Sequence, residues 1–415
     1  MNVEIDSARL QFEIDHLASI SENPPPVVTR VLFSEADLRA RKFVQGLCRD
    51  LALSLREDAV GNLFARWEGS QKLPPVATGS HIDAIPNAGK YDGVVGVLGA
   101  IEAIRALQRA GFRPQRSIEL IVFTAEEPTR FGIGCVGSRL LSGVLPPGKA
   151  ATLRDSAGKS LEAWRKGAGC DGQLDSVPLA ANTYAAFIEL HIEQGPVLEK
   201  ENLSIGVVEK IAAPSTLRMQ LTGVGGHAGA VLMPERRDAL TAGAEIALAV
   251  ETAARTSGSP DTVGTTGVFQ IQPGAVNSVP FAALLEIDVR DTQITTRDAT
   301  LKKIEAAAAE ICDRRGVRLE QERLNVDPPA ACDAGLVQSI AEVCRKTGAT
   351  YRKMISRAYH DSLFMAQICP TAMIFIPCRG GISHRPDEFA SPEGIAAGVQ
   401  VLAGVLATAA SGSAR

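Results

Sequence analysis

Two kinds of apolar pattern alternate along the first part of the chain. Apolar residues recur every three or four positions, as on one face of a helix, at 9–20, 35–55 and 94–111. Strand candidates occur at 59–67 and 74–80, and a continuous apolar strand is predicted at 117–125. The resulting order of strand, loop, helix and strand predicts a parallel or mixed β-sheet with helices packed on its faces, an α/β fold.

The pattern changes in the middle of the chain. Strand, helix, strand, strand, helix and strand patterns follow one another at 215–224, 234–254, 262–273, 282–291, 297–316 and 317–324. This is the βαββαβ order of a small ferredoxin-like layer. Because helix and strand patterns like those of the first part resume after residue 328, the layer is predicted to be an insertion. The predicted main domain comprises 1–212 and 328–415, and the predicted insert comprises 213–327.

Composition narrows the class of protein. The 415 residues carry a formal net charge of -4 without a basic cluster that could follow a phosphate backbone, so nucleic acid is not an expected partner. The eight cysteines contain no CxxC pair and are expected to be reduced. The N-terminal stretch lacks a secretory signal pattern, and the apolar run near the C-terminus is shorter than the ~20 residues of a membrane span. A cytoplasmic enzyme or binding protein without membrane attachment is expected.

Histidine and aspartate residues follow the second predicted strand. His81 comes directly after the strand at 74–80, and Asp83 and Asp92 lie in the same stretch, GSHIDAIPNAGKYDG. Open α/β sheets bind ligands at the carboxyl ends of their strands, so His81 is expected there. Asp83 could hold the imidazole ring by accepting its second N–H. Asp92 precedes the glycine that opens the next helix, and can turn back toward His81.

Three more strand ends carry the same residue types. FTAEEPTRFG brings the adjacent Glu126 and Glu127, ELHIEQGP brings His191, and GISHRP brings His384. Adjacent residues of an extended chain point in opposite directions, so one glutamate can bind a metal while the other faces the substrate. Imidazoles and carboxylates without a thiolate suit paired divalent cations such as Zn, Mn or Co. Two such ions need a shared carboxylate, for which Asp92 is the candidate.

Other features are weaker indications of chemistry. Any one of these histidines or acids, taken singly, is more often a structural or solvated residue, and only the whole set favours a site. His360 in RAYHDS has two equally supported interpretations. It either lines a pocket, as a substrate-binding residue, or completes a turn. Cys135 is expected to be a small packed residue, because nothing beside it in sequence lowers its pKa. GVGGHAGA around His227 lacks the lysine of a phosphate-binding loop.

With these motifs the chain resembles the M20-type dinuclear metallohydrolases, in the branch of the hydantoinase/carbamoylase amidases. The matching stretches occur in family order from residue 79 to residue 386, and also include GVGGHAGA, NSVP and IDVRD. The resemblance implies that His81 and His191 bind one metal ion and that Glu127 and His384 bind the other. It implies that Asp92 binds both. It also implies a catalytic domain that is interrupted by a lid, which coincides with the predicted insert.

The resemblance implies roles for further residues. Glu126 would be the general base. The substrate's ureido and carboxylate groups would be held by Gln194, Asn277 and Arg290. The lid would form a homodimer, and His227 would reach into the partner subunit's active site.

The activity implied by this branch is hydrolysis of a C–N bond in a ureido acid, with release of ammonia and CO2. Two divalent ions would be needed, Mn or Zn, with Co or Ni as alternatives. RAYHDS stands where allantoate and N-carbamoyl-amino acid hydrolases commonly have GAGHDA, which favours ureidoglycolate as the substrate. Those two substrate classes stay open, as do a metallo-aminopeptidase or carboxypeptidase on the same scaffold and a non-catalytic binding protein.

Overall fold

The computed structural model describes residues 3–412, which form two compact units. The first unit contains the chain up to Glu209, then Ala331–Met354, and then the chain from His360 on. The second contains Lys210–Ala330 and Ile355–Tyr359. The predicted insert, 213–327, therefore lies inside the second unit, which also takes in a short later segment. That this unit acts as a lid and as a dimerisation domain stays a prediction.

Helices and strands alternate along the chain. The helices are α1 (Ser7–Ser19), α2 (Glu35–Asp50), α3 (Val94–Arg109), α4 (Val136–Leu141), α5 (Pro147–Thr152), α6 (Leu161–Gly167), α7 (Val197–Lys200), α8 (Ala239–Arg255), α9 (Ile294–Arg315), α10 (Ala334–Thr347), α11 (Ser362–Met365) and α12 (Pro392–Ala410). The strands are β1 (Val28–Arg30), β2 (Ser54–Glu57), β3 (Leu63–Trp67), β4 (Val76–His81), β5 (Ala84–Ala88), β6 (Ile118–Phe123), β7 (Ala186–Ile192), β8 (Ile205–Ile211), β9 (Ala213–Thr222), β10 (Gly226–His227), β11 (Val263–Gln272), β12 (Ser278–Val279), β13 (Ala282–Asp291), β14 (Arg318–Val326), β15 (Ala330–Ala331), β16 (Tyr351–Ser356) and β17 (Thr371–Ile376).

A mixed sheet forms the centre of the first unit. Strands β17, β7, β4 and β6 lie side by side and run parallel. Strand β8 pairs antiparallel with β17 on one side, and β3 pairs antiparallel with β6 on the other. Every residue of the four parallel strands is buried, as the continuous apolar runs predict for a sheet covered by helices on both faces. The carboxyl ends of these strands meet at one edge of the sheet.

The second helix is shorter than its sequence pattern predicts. Instead of continuing to residue 55, α2 ends at Asp50, and Ala52 has a left-handed backbone with φ +55°. Residues Ser54–Glu57 then form strand β2, which pairs antiparallel with β3. Pairing with a neighbouring strand outweighs the local helical pattern here, because an edge strand gains its hydrogen bonds only in the folded sheet.

Helix α12 corresponds to the apolar run near the C-terminus. By length and composition it could cross a membrane, but 56% of its most apolar window is buried within the protein. It packs against α3, α10 and strand β17. The predicted apolar face, Ile395, Val399, Leu402 and Leu406, is fully buried. This burial is that of a helix in the hydrophobic core.

The second unit contains an antiparallel sheet covered on one face by two helices. Its strands lie in the order β11, β13, β9, β14, and α8 and α9 connect them in the predicted βαββαβ sequence. Buried and half-buried residues alternate along β13. Apolar Leu285 and Ile287 pack in the core with the helices, while charged Glu286 and Asp288 lie on the opposite face. The predicted fold class, a mixed α/β sheet domain with a ferredoxin-like layer, is confirmed.

Candidate metal centre

The predicted site residues of the first unit lie at the carboxyl edge of its parallel strands. His81 is the last residue of β4, and His191 is the last but one of β7. Glu126 and Glu127 follow β6, and His384 follows β17. Because neighbouring parallel strands end at the same edge, residues far apart in sequence come together there.

Asp92 lies at the centre of this group. Its Oδ1 is 3.1 Å from Nε2 of His191 and 3.5 Å from Nε2 of His81. Its Oδ2 is 3.3 Å from Nε2 of His384, and that nitrogen is 3.6 Å from Oε1 of Glu127. The potential ligand atoms thus form two groups, each within 4.8 Å, that share Asp92. One carboxylate with an oxygen directed to each group is the arrangement that two neighbouring cations require.

The histidine rings are oriented so that Nε2 faces Asp92. Nδ1 of His81 lies 3.0 Å from the carbonyl oxygen of Asp83, and Nδ1 of His191 lies 2.9 Å from that of Ile192. A carbonyl oxygen only accepts, so Nδ1 donates in both rings and Nε2 is the atom directed at Asp92. Each Nε2 faces an oxygen of Asp92, so either a proton or a metal ion bound through the lone pair of Nε2 lies between the two atoms. The donor set therefore fits divalent metal ions.

A close backbone approach at Gly93 makes this arrangement possible. Its φ is +65°, and a Cβ at this position would lie 2.4 Å from Nε2 of His81. No side chain fits there, and glycine adopts the left-handed conformation without strain. The glycine after Asp92 thus allows the carboxylate to approach both histidines while helix α3 starts at Val94.

Burial and nearby charge perturb the carboxylates of the site. Burial and neighbouring negative charges raise the pKa of Glu126 well above its ordinary value. Burial and the charge of Asp92 raise the pKa of Glu127 to about 7. At Asp92 burial is outweighed by hydrogen bonds from the three histidines, which hold its pKa well below the ordinary value. Several buried carboxylates close together favour bound cations and mark a functional site.

The comparisons with known proteins agree with this geometry. The chain matches the model of Peptidase family M20/M25/M40 over residues 77–408. The chain belongs to this family. Ureidoglycolate hydrolase of Oryza sativa subsp. japonica is 53% identical over 407 residues, 96% of this chain and 84% of that protein. Ureidoglycolate hydrolase of Arabidopsis thaliana is 52% identical over 414 residues, 98% of this chain and 87% of that protein. A crystal structure of AtUAH in complex with glyoxylate matches with a TM-score of 0.92 at 52% identity, over 98% of both chains.

Family membership and donor set together establish the type of enzyme. The chain is an M20 hydrolase that acts on carbon–nitrogen bonds other than peptide bonds, and it is metal-dependent. The family resemblance inferred from the motifs is thereby confirmed.

Asp83 contacts the site of this M20 hydrolase differently from the expectation. Its backbone carbonyl, rather than its carboxylate, accepts from Nδ1 of His81, and Oδ1 lies 3.6 Å from that nitrogen. The carboxylate instead accepts from the backbone N–H groups of Glu126, at 3.3 Å, and Glu127, at 3.0 Å. Asp83 therefore orients the turn that carries both glutamates.

Two residues predicted to bind substrate contact the site of the first unit. Gln194 donates from Nε2 to Oδ2 of Asp92 at 2.6 Å. His360 is buried, and its ring packs edge-on against that of His191 with centroids 4.6 Å apart. His360 thus supports the His191 ring; direct contact of either residue with substrate stays a prediction.

A third group of potential ligands contains Glu189, His191 and His360. Ser80 donates to one oxygen of Glu189 at 2.9 Å, and Ser362 donates to the other from its backbone N–H and its hydroxyl, at 3.1 and 2.6 Å. Both oxygens are already hydrogen-bonded, so this carboxylate is better explained as a structural group beneath the site.

The remaining predicted residues belong to the second unit. His227 is exposed on β10, and its Nδ1 accepts from the N–H of Gly229 at 3.1 Å. Asn277 lies beside it, since its carbonyl accepts from the N–H of Ala228 at 2.8 Å. Arg290 is on β13, where Nε donates to Oδ1 of Asp288 at 2.7 Å.

Sequence reasoning missed several residues around the site. Glu388 is buried and contacts the loop that carries Asp92. Asp361 is buried and accepts from Ser138 at 2.5 Å, and burial with the charge of Glu189 raises its pKa to about 8. No sequence pattern distinguishes these acids from surface ones. Cys135 is buried as expected, but its Sγ also lies 3.5 Å from Oε1 of Glu126.

Proposed function

We propose that this chain is a dinuclear amidohydrolase that hydrolyses the ureido group of ureidoglycolate. The observation that carries the proposal is the position of Asp92, whose two oxygens face two separate groups of ligands. The names of two relatives more than 50% identical over nearly the whole chain support the substrate. Water adds to the ureido carbonyl and one of its two C–N bonds breaks. The carbamic acid that remains loses CO2, so the products are ammonia, CO2 and the α-hydroxy amino acid left from the substrate.

The proposed ligands are those that the two groups contain. His81 and His191 would hold one ion and Glu127 and His384 the other, with Asp92 in both groups. Bound there, the ions would supply a water of lowered pKa and polarise the substrate carbonyl. Nitrogen and oxygen donors accept Mn or Zn, which we propose as the ions, and also Co or Ni.

Glu126 is the proposed general base. It belongs to neither ligand group, and its Oε2 lies 3.7 Å from Nε2 of His81, directly beside the ligands. Its other oxygen accepts from Cys135, which leaves Oε2 available to a substrate molecule at the site. Glu126 takes a proton from the attacking water and transfers it to the departing nitrogen.

The substrate assignment is tested with a panel of compounds. Chelator-treated protein is supplied with Mn²⁺, and ammonia release is measured from ureidoglycolate, allantoate and several N-carbamoyl amino acids. Dipeptides are assayed in parallel for release of amino acids. The highest kcat/KM is expected for ureidoglycolate. Preference for another ureido compound or for a dipeptide would reassign the substrate, and full metal occupancy without any turnover would indicate a binding protein.

Arg290 is the proposed partner of the substrate carboxylate. Guanidinium groups bind carboxylates through two parallel hydrogen bonds, and Asp288 already holds this side chain in place. Arg290→Ala is expected to raise KM for ureidoglycolate by about 10- to 100-fold, because a hydrogen bond to a charged group is worth ~1.5 to 3 kcal/mol. Arg218→Ala removes a guanidinium paired with Glu286 and serves as the matched control. An equal rise in KM for a neutral urea analogue would contradict the assignment.

The second unit has features that support the proposed homodimer. Strand β11 lies at the edge of its sheet, with β13 as its neighbour in the described chain. An unpaired edge offers a row of backbone groups to another strand. Phe269 on β11 and Leu248 on α8, which packs against β11, are exposed apolar side chains that a partner would cover. A symmetric contact through this edge is the proposed dimer interface.

His227 is proposed to act in the partner subunit's active site. Because its Nδ1 accepts from the N–H of Gly229, its Nε2 carries the hydrogen and can donate to an oxyanion. Leu232 and Met233, a few residues further on, are exposed apolar side chains. Co-expression of Glu126→Gln with His227→Ala is expected to restore activity that neither variant has alone, since one site of the mixed dimer then has both residues. Mixed dimers as inactive as the two parents would rule out the exchange.

A further inference from the structure

Glu388 connects two parts of the candidate site that are far apart in sequence. Its Oε1 accepts from the backbone N–H of Tyr91 at 2.8 Å and from that of Asp92 at 3.1 Å. Its Oε2 lies 2.9 Å from Oγ of Ser383, the residue before His384. The carboxylate is buried under the Asp92 loop, where a Cβ at residue 89 would lie 2.4 Å from the Cβ of Glu388, so Gly89 gives it room.

Two separate paths lead from Glu388 to Asp92. One is direct, through the backbone N–H of Asp92 itself. The other passes through Oγ of Ser383, which lies within hydrogen-bonding distance of both carboxylates, 2.7 Å from Oδ2 of Asp92, and shares its one hydrogen between them. The same carboxylate therefore restrains both the backbone and the side chain of Asp92, and at the same time the turn that carries His384.

The two ligand groups depend on Glu388 to different extents. His81 and His191 are within strands of the central sheet, and their side chains are 2% and 1% exposed. The side chain of His384 is 48% exposed, and its backbone has a left-handed φ of +59° outside any strand. A non-glycine residue keeps such a conformation only where its surroundings impose it. The His384 group thus needs an external restraint that the strand residues do not need.

We infer that Glu388 is a positioning residue for the metal group formed by Asp92, Glu127 and His384, and that it sets the affinity of that group. The inference rests on the proposed ligand roles of these residues. Partners that orient metal ligands typically contribute about 10- to 100-fold to metal affinity. The loss of Glu388 is therefore expected to weaken the ion of this group most, and the ion held by His81 and His191 less, because Asp92 belongs to both groups.

The experiment is a calorimetric titration of Mn²⁺ into the chelator-treated full chain. Wild type is expected to bind two equivalents. In Glu388→Ala one equivalent is expected to weaken by about 10- to 100-fold, and the other by clearly less. Asp387→Ala removes the neighbouring acid, which pairs with Arg385 at the surface, and is expected to match wild type. Thermal unfolding of the metal-free variants compares their folded states without reference to activity.

Two further variants keep the test decisive if Glu388→Ala does not fold. Glu388→Gln retains a carbonyl oxygen for the two backbone N–H groups and an amide that can donate to Ser383, so it is expected to recover most of the affinity. Ser383→Ala interrupts the second path and is expected to weaken the same equivalent. Two unchanged equivalents in these variants, or an equal weakening of both, would overturn the inference. A wild type that binds fewer than two equivalents would instead contradict the proposed function.

Discussion

Glu126→Gln is expected to lower kcat by about 10²- to 10⁴-fold while both metal ions stay bound. The substitution keeps the size of the side chain but removes the group that accepts and returns a proton. Glu126 lies outside both ligand groups, so its loss leaves the metal donors unchanged. Metal analysis of the purified variant and ammonia release from ureidoglycolate measure the two effects separately.

The neighbouring carboxylate is the matched control for this prediction. Glu127→Gln changes the same chemical group one residue away, but Oε1 of Glu127 faces His384 at 3.6 Å. It is expected to lose one metal ion together with activity. If Glu126→Gln also loses metal, Glu126 is a ligand, and if it retains full activity, the base must be sought elsewhere.

Asp92→Ala is expected to lower the affinity for both metal ions. The loss is expected to exceed the about 10- to 100-fold that is typical when a residue that only orients a metal ligand is removed. Each of its oxygens faces a different group, so a single substitution removes one ligand from each. Activity is expected to fall with metal content, and excess Mn²⁺ is expected to restore little of it. Calorimetric titration of the chelator-treated variant measures both equivalents.

Asp83→Asn is the control for Asp92→Ala. Comparing the metal affinities of the two variants distinguishes a ligand shared by both ions from a buried acid close to the site. Asp83 is more deeply buried than Asp92, but its carboxylate contacts backbone N–H groups of the glutamate turn. Its amide variant is expected to affect metal affinity less than Asp92→Ala. An Asp92 variant in which one ion keeps its wild-type affinity would refute the shared position.

The strand ends of the first unit could be predicted because two simple patterns coincide there. Continuous apolar runs mark buried parallel strands, and such strands end at one edge of a sheet. The pattern predicts His81 directly after its strand, and the structure makes it the last residue of β4, while His191 lies within β7. Asp92 lies in a glycine-rich loop, and the need for a glycine at position 93 is visible in the structure as a contact with the His81 ring.

Contacts between distant segments could not be predicted in the same way. Glu388 looks like a surface acid in SHRPDEF, and Asp83 looked like a partner for the His81 ring, yet both carboxylates hold backbone N–H groups of other loops. The helical pattern up to residue 55 was similarly misleading, because β2 forms only where β3 is available to pair with it.

By itself the sequence determined the α/β fold, the βαββαβ layer, the family and the set of imidazoles and carboxylates at the strand ends, because each follows from local periodicity or from short motifs. Only the tertiary structure decided which oxygen of Asp92 faces which histidine, where the carboxylate of Asp83 is directed, and that Glu388 restrains the His384 turn. Those features are distances between segments that are remote along the chain, and they come into existence only when the sheet assembles.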